Sequence, residues 1–145
     1  MRISVIGCGY LGAVHAAAMA SIGHEVIGVD VDEEKIARLG RGEAPFHEPG
    51  FEALLREQLA GGRLRFATGI EQVRDAEVHF VTVGTPQVAG GWAADVVHVD
   101  AAVAALAAIA RPGSVVVGKS TVPVGTAARL AEALEGAGSA LVWNP

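Results

Sequence analysis

Six short runs rich in β-branched and other apolar residues punctuate the chain, at residues 3–6, 25–29, 64–67, 78–83, 114–117 and 140–143. Several are apolar at consecutive positions instead of alternating, which suits strands covered on both faces, as in a parallel sheet. Between them lie helical patterns at residues 11–22, 33–40, 51–59, 101–110 and 125–135, with Gly23, Gly40, Gly61 and Gly136 where those helices are expected to end. Strand and helix alternate throughout with short connections. This predicts an α/β fold with right-handed crossovers, a doubly wound open parallel sheet of about six strands in the order 3-2-1-4-5-6. Residues 43–50 (EAPFHEPG) and 87–95 (QVAGGWAAD) fall outside this scheme and read as loops, the second expected to be mobile.

The junction of the first strand and first helix carries chemistry. Gly7-Cys8-Gly9-Tyr10-Leu11-Gly12 is a G-x-G-x-x-G, in which Gly7 permits the tight turn, Gly9 lets the backbone approach a pyrophosphate and Gly12 lets the helix pack closely on the strand. The helix N-terminus offers free N–H groups and positive partial charge to phosphates. The second strand ends at Asp30, 18 residues after Gly12, where a carboxylate accepts hydrogen bonds from an adenosine ribose. A carboxylate there repels a 2′-phosphate, and no arginine follows in Val31-Asp32-Glu33-Glu34, so NAD is expected over NADP. Asp32 is the better helix N-cap, which leaves Asp30 for the ligand. Lys35, one turn into the helix, either reaches the ribose edge or is a solvated surface lysine. Together these features predict a Rossmann-type domain.

Two polar turns, Val83-Gly84-Thr85-Pro86 and Lys119-Ser120-Thr121-Val122-Pro123, follow the fourth and fifth strands. Ligands of open α/β sheets lie outside the carboxyl ends of the strands, so both turns are placed to flank a dinucleotide; read singly, each is also ordinary turn chemistry. Cys8 sits where a nucleophile would face the pyrophosphate and not a reacting carbon, and its small size accounts for it.

Composition narrows the classes. The 145 residues suit one domain, and the net charge of −5 without a basic stripe argues against a nucleic-acid partner. A single cysteine cannot form an internal disulfide, and His15, His24, His47, His79 and His98 lack metal-ligand spacing. The apolar run at 3–6 is too short for a signal-peptide core, and the alanine-rich stretch at 101–110 is too short for a bilayer. The expectation is a metal-free cytoplasmic protein without a membrane partner.

The segments IGCGYLG, GHEVIGVDVDEEKI, EAPFHEPGFEALL, GRLRFAT, VTVGTP, KSTVPVGTA and WNP follow one another along the chain. In this order, over residues 1–145, they resemble the N-terminal NAD-binding domain of the UDP-glucose/GDP-mannose dehydrogenase family. The valine after the proline in KSTVPVGT is nearer the UDP-glucose branch than the GDP-mannose or UDP-N-acetylmannosamine branches. The resemblance implies an enzyme that oxidises the C6 hydroxyl of a nucleotide sugar twice with two NAD⁺, through a cysteine thiohemiacetal and a thioester that water hydrolyses. Carried over by position, Gly7, Cys8, Gly9, Tyr10, Leu11, Gly12, Asp30, Lys35, Val83, Thr85, Pro86, Ser120 and Thr121 contact the cofactor, and Thr121 helps to hold the hydrolytic water. The family's catalytic cysteine, lysine and aspartate, and the glutamate that follows Asn-Pro, fall outside these residues, so this stretch alone is expected not to turn over. A UDP-sugar substrate, a homodimeric whole enzyme, a central helix and a C-terminal substrate domain are likewise implied, with this stretch by itself monomeric.

Three other readings share parts of the pattern. A stand-alone nucleotide-sensing module needs only the glycine turn and the acidic residue, but leaves KSTVPVGT unexplained. A methyltransferase binds no pyrophosphate and leaves the full three-glycine turn less well explained. A β-hydroxyacid dehydrogenase shares IGCGYLG and GHEVIGVD but fits EPGFEALL and the STVP turn poorly.

Overall fold

A computed structural model describes every residue from Met1 to Pro145. Its elements are β1 (Arg2–Ile6), α1 (Tyr10–Ser21), β2 (Glu25–Val29), α2 (Glu33–Gly40), α3 (Phe51–Ala60), β3 (Leu64–Ala67), a 3₁₀ turn (Ile70–Val73), β4 (Val78–Val81), α4 (Val97–Ile109), β5 (Val115–Gly118), α5 (Thr126–Glu135) and β6 (Ala140–Trp143). The six strands form one sheet in the order β3-β2-β1-β4-β5-β6, every pairing parallel, as the alternation predicts. No helix is long and apolar enough to cross a membrane.

Two cores sandwich the sheet because successive strand residues point to opposite faces. On one face Ile3, Val5, Val26 and Leu64 meet α1, α2 and α3. The alanines of α1, Ala13, Ala16, Ala17 and Ala20, are all fully buried, and their small size lets the helix lie close to the strands. On the other face Ile6, Ile27, Val81 and Val116 meet Val99, Val103 and Leu106 of α4 and Leu130 and Leu134 of α5. Between β2 and α2, Asp32 caps the helix by accepting the Lys35 N–H at 2.9 Å, and Glu33 and Glu34 fill the first turn, which leaves Asp30 uncommitted to capping.

Three local differences from the sequence-based expectation have physical causes. Helix α4 begins at Val97, four residues earlier than its alanine run, because the Asp95 carboxylate accepts the Val97 N–H at 2.9 Å and starts the helix through β-branched residues. Of the four glycines expected at helix ends only Gly23 adopts positive φ; at the ends of α2, α3 and α5 the left-handed residue is Gly42, Gly62 or Gly138, one or two positions later. The segment at 87–95 is a small hairpin, with Gln87 bridged to Ala94 and the Val88 N–H donating to Ala93 O at 2.9 Å.

Candidate functional site

A cleft of about 500 Å³ runs along the carboxyl ends of β1, β2 and β4. Its floor is the glycine turn. Gly7 has φ +94°, which a side chain would strain, and its N–H donates to Val29 O at 2.8 Å, tying β1 to β2. Around Gly9 there is open space: a Cβ added there would meet nothing within 4 Å. Gly12 is the opposite case, since a Cβ would overlap the Gly7 carbonyl and approach Thr82 Oγ1 to 2.7 Å. The three glycines of one motif thus meet three different demands: a left-handed turn, an open floor and a close helix–strand contact.

Helix α1 starts above this floor with Gly9 as an N-cap that has no side-chain hydrogen bond, and with no acidic residue in its first turn. Its first N–H groups therefore lack the usual side-chain acceptor, and nothing negative on the helix itself competes for them. A diphosphate fits this arrangement: the floor has room, the donors are free and the helix end is electropositive.

At the side of the turn stands Asp30, whose side chain is 10% exposed. Its Oδ2 accepts the Cys8 N–H at 2.8 Å and Lys35 Nζ at 3.0 Å, and Oδ1 accepts the Asp32 N–H at 3.0 Å. Lys35 is thus no free surface lysine; it is fastened to Asp30 at the cleft wall. The remaining wall is apolar: Val31 and Ile70 on one side, Ala101 and Ala105 of α4 on the other, with His98 at the rim. A flat base can lie between these small side chains.

The sequence-predicted residues are not all brought together equally. Gly7, Gly9, Asp30, Lys35 and Val83 line the cleft. Thr85, Pro86, Ser120 and Thr121 form an adjoining ledge outside it, and the two turns that carry them are stitched together: Ser120 Oγ donates to Val83 O at 2.6 Å, and Thr85 Oγ1 donates to Thr121 O at 2.9 Å. The Ser120 and Thr85 hydroxyls are committed to the backbone, whereas the Thr121 side chain is exposed above the ledge. Cys8 presents only its backbone to the turn. Its side chain is buried, and burial, followed by the Asp30 charge, pushes the thiol far up from its ordinary range, so it is no nucleophile.

Tyr10 and Leu11 stand exposed at the start of α1. The Tyr10 hydroxyl donates to Glu48 Oε2 at 2.6 Å and its ring meets Phe46 edge-on at 4.9 Å, which fastens the 43–50 segment beside the glycine turn. His79 is fully buried in β4, with Nδ1 2.7 Å from Ser4 Oγ, and takes no part in the cleft.

Sequence reasoning missed Thr82, Ile70, His98 and the Ala101–Ala105 wall. Thr82 Oγ1 donates to Gly7 O at 2.7 Å and lies 3.0 Å from Ile6 O, which locks the glycine turn against β4. The available signals were a hydroxyl residue near the end of a mostly apolar strand run and two alanines one turn apart on a helix.

The model of the UDP-glucose/GDP-mannose dehydrogenase family, NAD binding domain, matches residues 1–145, the whole of the chain. This chain belongs to the UDP-glucose/GDP-mannose dehydrogenase family. Within it, the chain is 50% identical over 133 residues to a UDP-glucose 6-dehydrogenase of Pseudomonas aeruginosa, a match covering 91% of this chain and 29% of that protein. Among solved structures, GDP-mannose dehydrogenase of Pseudomonas aeruginosa in a ternary complex superposes with a TM-score of 0.92 at 36% identity, covering 100% of this chain and 36% of that one. A UDP-glucose dehydrogenase from the archaeon Pyrobaculum islandicum gives 0.89 at 40% identity, covering 99% and 35%. The chain therefore spans about a third of the length of these relatives and corresponds to the NAD-binding domain of the UDP-glucose/GDP-mannose dehydrogenase family.

Proposed function

We propose that this chain is the NAD-binding part of a nucleotide-sugar 6-dehydrogenase whose substrate is UDP-glucose. The observation that carries the cofactor assignment is the open floor at Gly9 beside a nearly buried carboxylate at Asp30, framed by an uncapped helix start. The preference for UDP-glucose rests on the 50% identity to the Pseudomonas aeruginosa UDP-glucose 6-dehydrogenase and on the valine at 124 in KSTVPVGT.

In this reading Gly9 and the N–H groups of Tyr10, Leu11 and Gly12 would hold the pyrophosphate, with Gly7 and Cys8 shaping the turn. Asp30 and Lys35 would hold the adenosine ribose, and Ile70, Ala101 and Ala105 would take the adenine. Val83, Thr85, Pro86, Ser120 and Thr121 would support the nicotinamide end, where the exposed Thr121 would hold water. When bound, the dinucleotide supplies the hydride acceptor for oxidation at the sugar C6. The residues of this chain bind and orient; none is a nucleophile, so the domain alone binds cofactor without turnover.

Calorimetric titration with NAD⁺, NADP⁺, S-adenosylmethionine and UDP-glucose, each separately, tests the assignment. NAD⁺ binding is expected, weakened in Asp30→Ala by about 1–3 kcal/mol, the scale of hydrogen bonds to a charged group. Binding of S-adenosylmethionine in place of NAD⁺, or an unchanged affinity in Asp30→Ala, would remove the assignment. Oxidation assays on the chain extended to the length of its relatives, with UDP-glucose and GDP-mannose compared, test the substrate.

A further inference from the structure

We infer that a hollow at the amino-terminal end of the sheet is a second binding site, for a small phosphate monoester that also carries hydroxyl groups. It holds about 200 Å³ at the starts of β1, β2 and β3, one strand length, about 16 Å, from the glycine turn. The fold leaves this space open for a structural reason. On the face covered by α4 and α5, β2 and β3 have no helix of their own; the 3₁₀ turn Ile70–Val73 and the loop to Ala76 lie over them instead. Ile27, Val73 and Ala76, all buried, make the floor apolar.

Charge surrounds this floor. Ile3, Val26 and Leu64 point to the opposite core, so by alternation Arg2, Glu25, Arg63 and Arg65 project to the side of the hollow. The register sets Arg2 beside Glu25 and Arg65 beside Ile27, and Arg65 Nη1 donates to Gln72 Oε1 at 2.9 Å, which turns that guanidinium toward the loop. The rest of the molecule makes this gathering distinctive. Of the eleven Lys and Arg, Lys35, Arg38, Arg41, Arg56, Arg111 and Arg129 each touch a carboxylate or a backbone carbonyl, and Lys119 touches Asn144 Oδ1. The other four are Arg2, Arg63, Arg65 and Arg74; three line the hollow, and Arg74 lies between Val73 and Asp75, which also line it. In a chain of net charge −5, the uncommitted positive charge thus sits around one depression.

The donor set selects the ligand. Guanidinium forks pair with phosphate oxygens in two-point contacts, and a phosphate monoester brings three acceptor oxygens and a charge of about −1.5 to −2, which suits three arginines better than a single carboxylate does. Glu25 and Asp75 line the same hollow and form no ion pair with those arginines. Carboxylates only accept, so they repel a bare phosphate but receive hydroxyl donors. A phosphate joined to a short hydroxylated carbon body satisfies both groups, with its carbons on the apolar floor.

The test is calorimetric titration of the chain with glycerol 3-phosphate and with inorganic phosphate, at matched ionic strength in potassium chloride, with and without NAD⁺. Glycerol 3-phosphate should bind saturably, more tightly than inorganic phosphate, and equally well in the presence of NAD⁺. The Arg63 side chain makes no hydrogen bond or ion pair within the chain, so R63Q removes a ligand contact and nothing else; R63Q and R65Q should each weaken binding about tenfold or more, the scale of one charge-assisted hydrogen bond. R41Q, which removes a guanidinium paired to Glu43 elsewhere, should leave it unchanged. E25Q should raise the affinity for inorganic phosphate and shrink the advantage of glycerol 3-phosphate over it. Thermal unfolding of each variant reports whether it is folded. Absence of saturable binding, or unchanged affinity in folded R63Q and R65Q, would overturn the proposal. Loss of the ester on adding NAD⁺ would place it at the glycine turn and overturn it equally, and an unaltered advantage in E25Q would overturn the assignment of the hydroxyls.

Discussion

Two glycines of the same motif should fail in opposite ways. A methyl at Gly12 overlaps the Gly7 carbonyl and comes within 2.7 Å of Thr82 Oγ1, so α1 must lift from the sheet and the Thr82 hydrogen bond to the turn must stretch or break. Overpacking of this kind costs about 1–3 kcal/mol and a lost hydrogen bond about 0.5–1.5 kcal/mol, while the better helix propensity of alanine returns up to about 1 kcal/mol. A net loss of about 0.5–4.5 kcal/mol lowers the Tm of a domain this size by roughly 1–18 °C. At Gly9 a side chain meets nothing, and the backbone there, φ −68° and ψ −165°, is open to any residue. Gly9→Val therefore loses only N-cap preference, about 1 kcal/mol or less, but fills the space assigned to the pyrophosphate. Thermal unfolding with and without NAD⁺ separates the two. At a hundredfold excess over Kd the cofactor adds about 2.7 kcal/mol to the wild-type chain. Gly12→Ala should unfold at a clearly lower temperature; Gly9→Val should unfold near the wild type and gain nothing from NAD⁺. A Gly12→Ala protein with wild-type Tm would refute the close helix–strand contact, and NAD⁺ stabilisation of Gly9→Val would refute the position of the pyrophosphate.

Thr82→Val, which keeps shape but removes the hydroxyl, should lower stability by about 0.5–1.5 kcal/mol and weaken NAD⁺ binding, with Thr82→Ser restoring both; equal behaviour of the two variants in urea unfolding and titration would take Thr82 out of the turn. His79 has its pKa lowered to about 4, by burial first and then by the Arg111 charge. The unfolded chain, with an ordinary histidine near 6.5, binds the proton first as pH falls, so stability is complete above that value and declines toward pH 4, by about 3 kcal/mol in all. Urea midpoints across pH 4–7 should show that slope, and His79→Asn, which does not titrate, should flatten it; a slope unaltered in the variant would assign it elsewhere. Tyr10 is the single tyrosine, and its hydrogen bond to Glu48 raises its pKa above the usual phenol range, so absorbance titration reads it alone. Glu48→Ala should return it to the ordinary value, and no movement would mean that the Tyr10–Glu48 contact of the 43–50 segment is absent in solution.

The order of elements, the strand order, the glycine turn and the placing of Asp30 at the end of β2 could all be read along the chain. Apart from the strand order, which follows from the right-handed crossover rule applied to the alternation, these are local: consecutive apolar residues mark a two-sided strand, three spaced glycines mark a turn, and Asp32 before Glu33-Glu34 marks a helix start. The partnerships inside the site were not legible in this way. Asp30 meets the Cys8 N–H across 22 positions, Ser120 meets Val83 O across 37, and Thr82 meets Gly7 O across 75. Such contacts arise from the register of β1, β2, β4 and β5, which sets residues remote along the chain side by side, and periodicity carries no record of register. Burial obeys the same rule. Cys8 stands beside Gly9 in the motif, yet its side chain turns into the core while Gly9 faces the open cleft, and His79 is fully covered because a central strand has no exposed face to offer it. The apolar wall of the cleft needs the 3₁₀ turn after β3 and the alanines of α4 to meet across the mouth of the sheet. Only the packed sheet brings those two segments together, because neither has any local preference for the other.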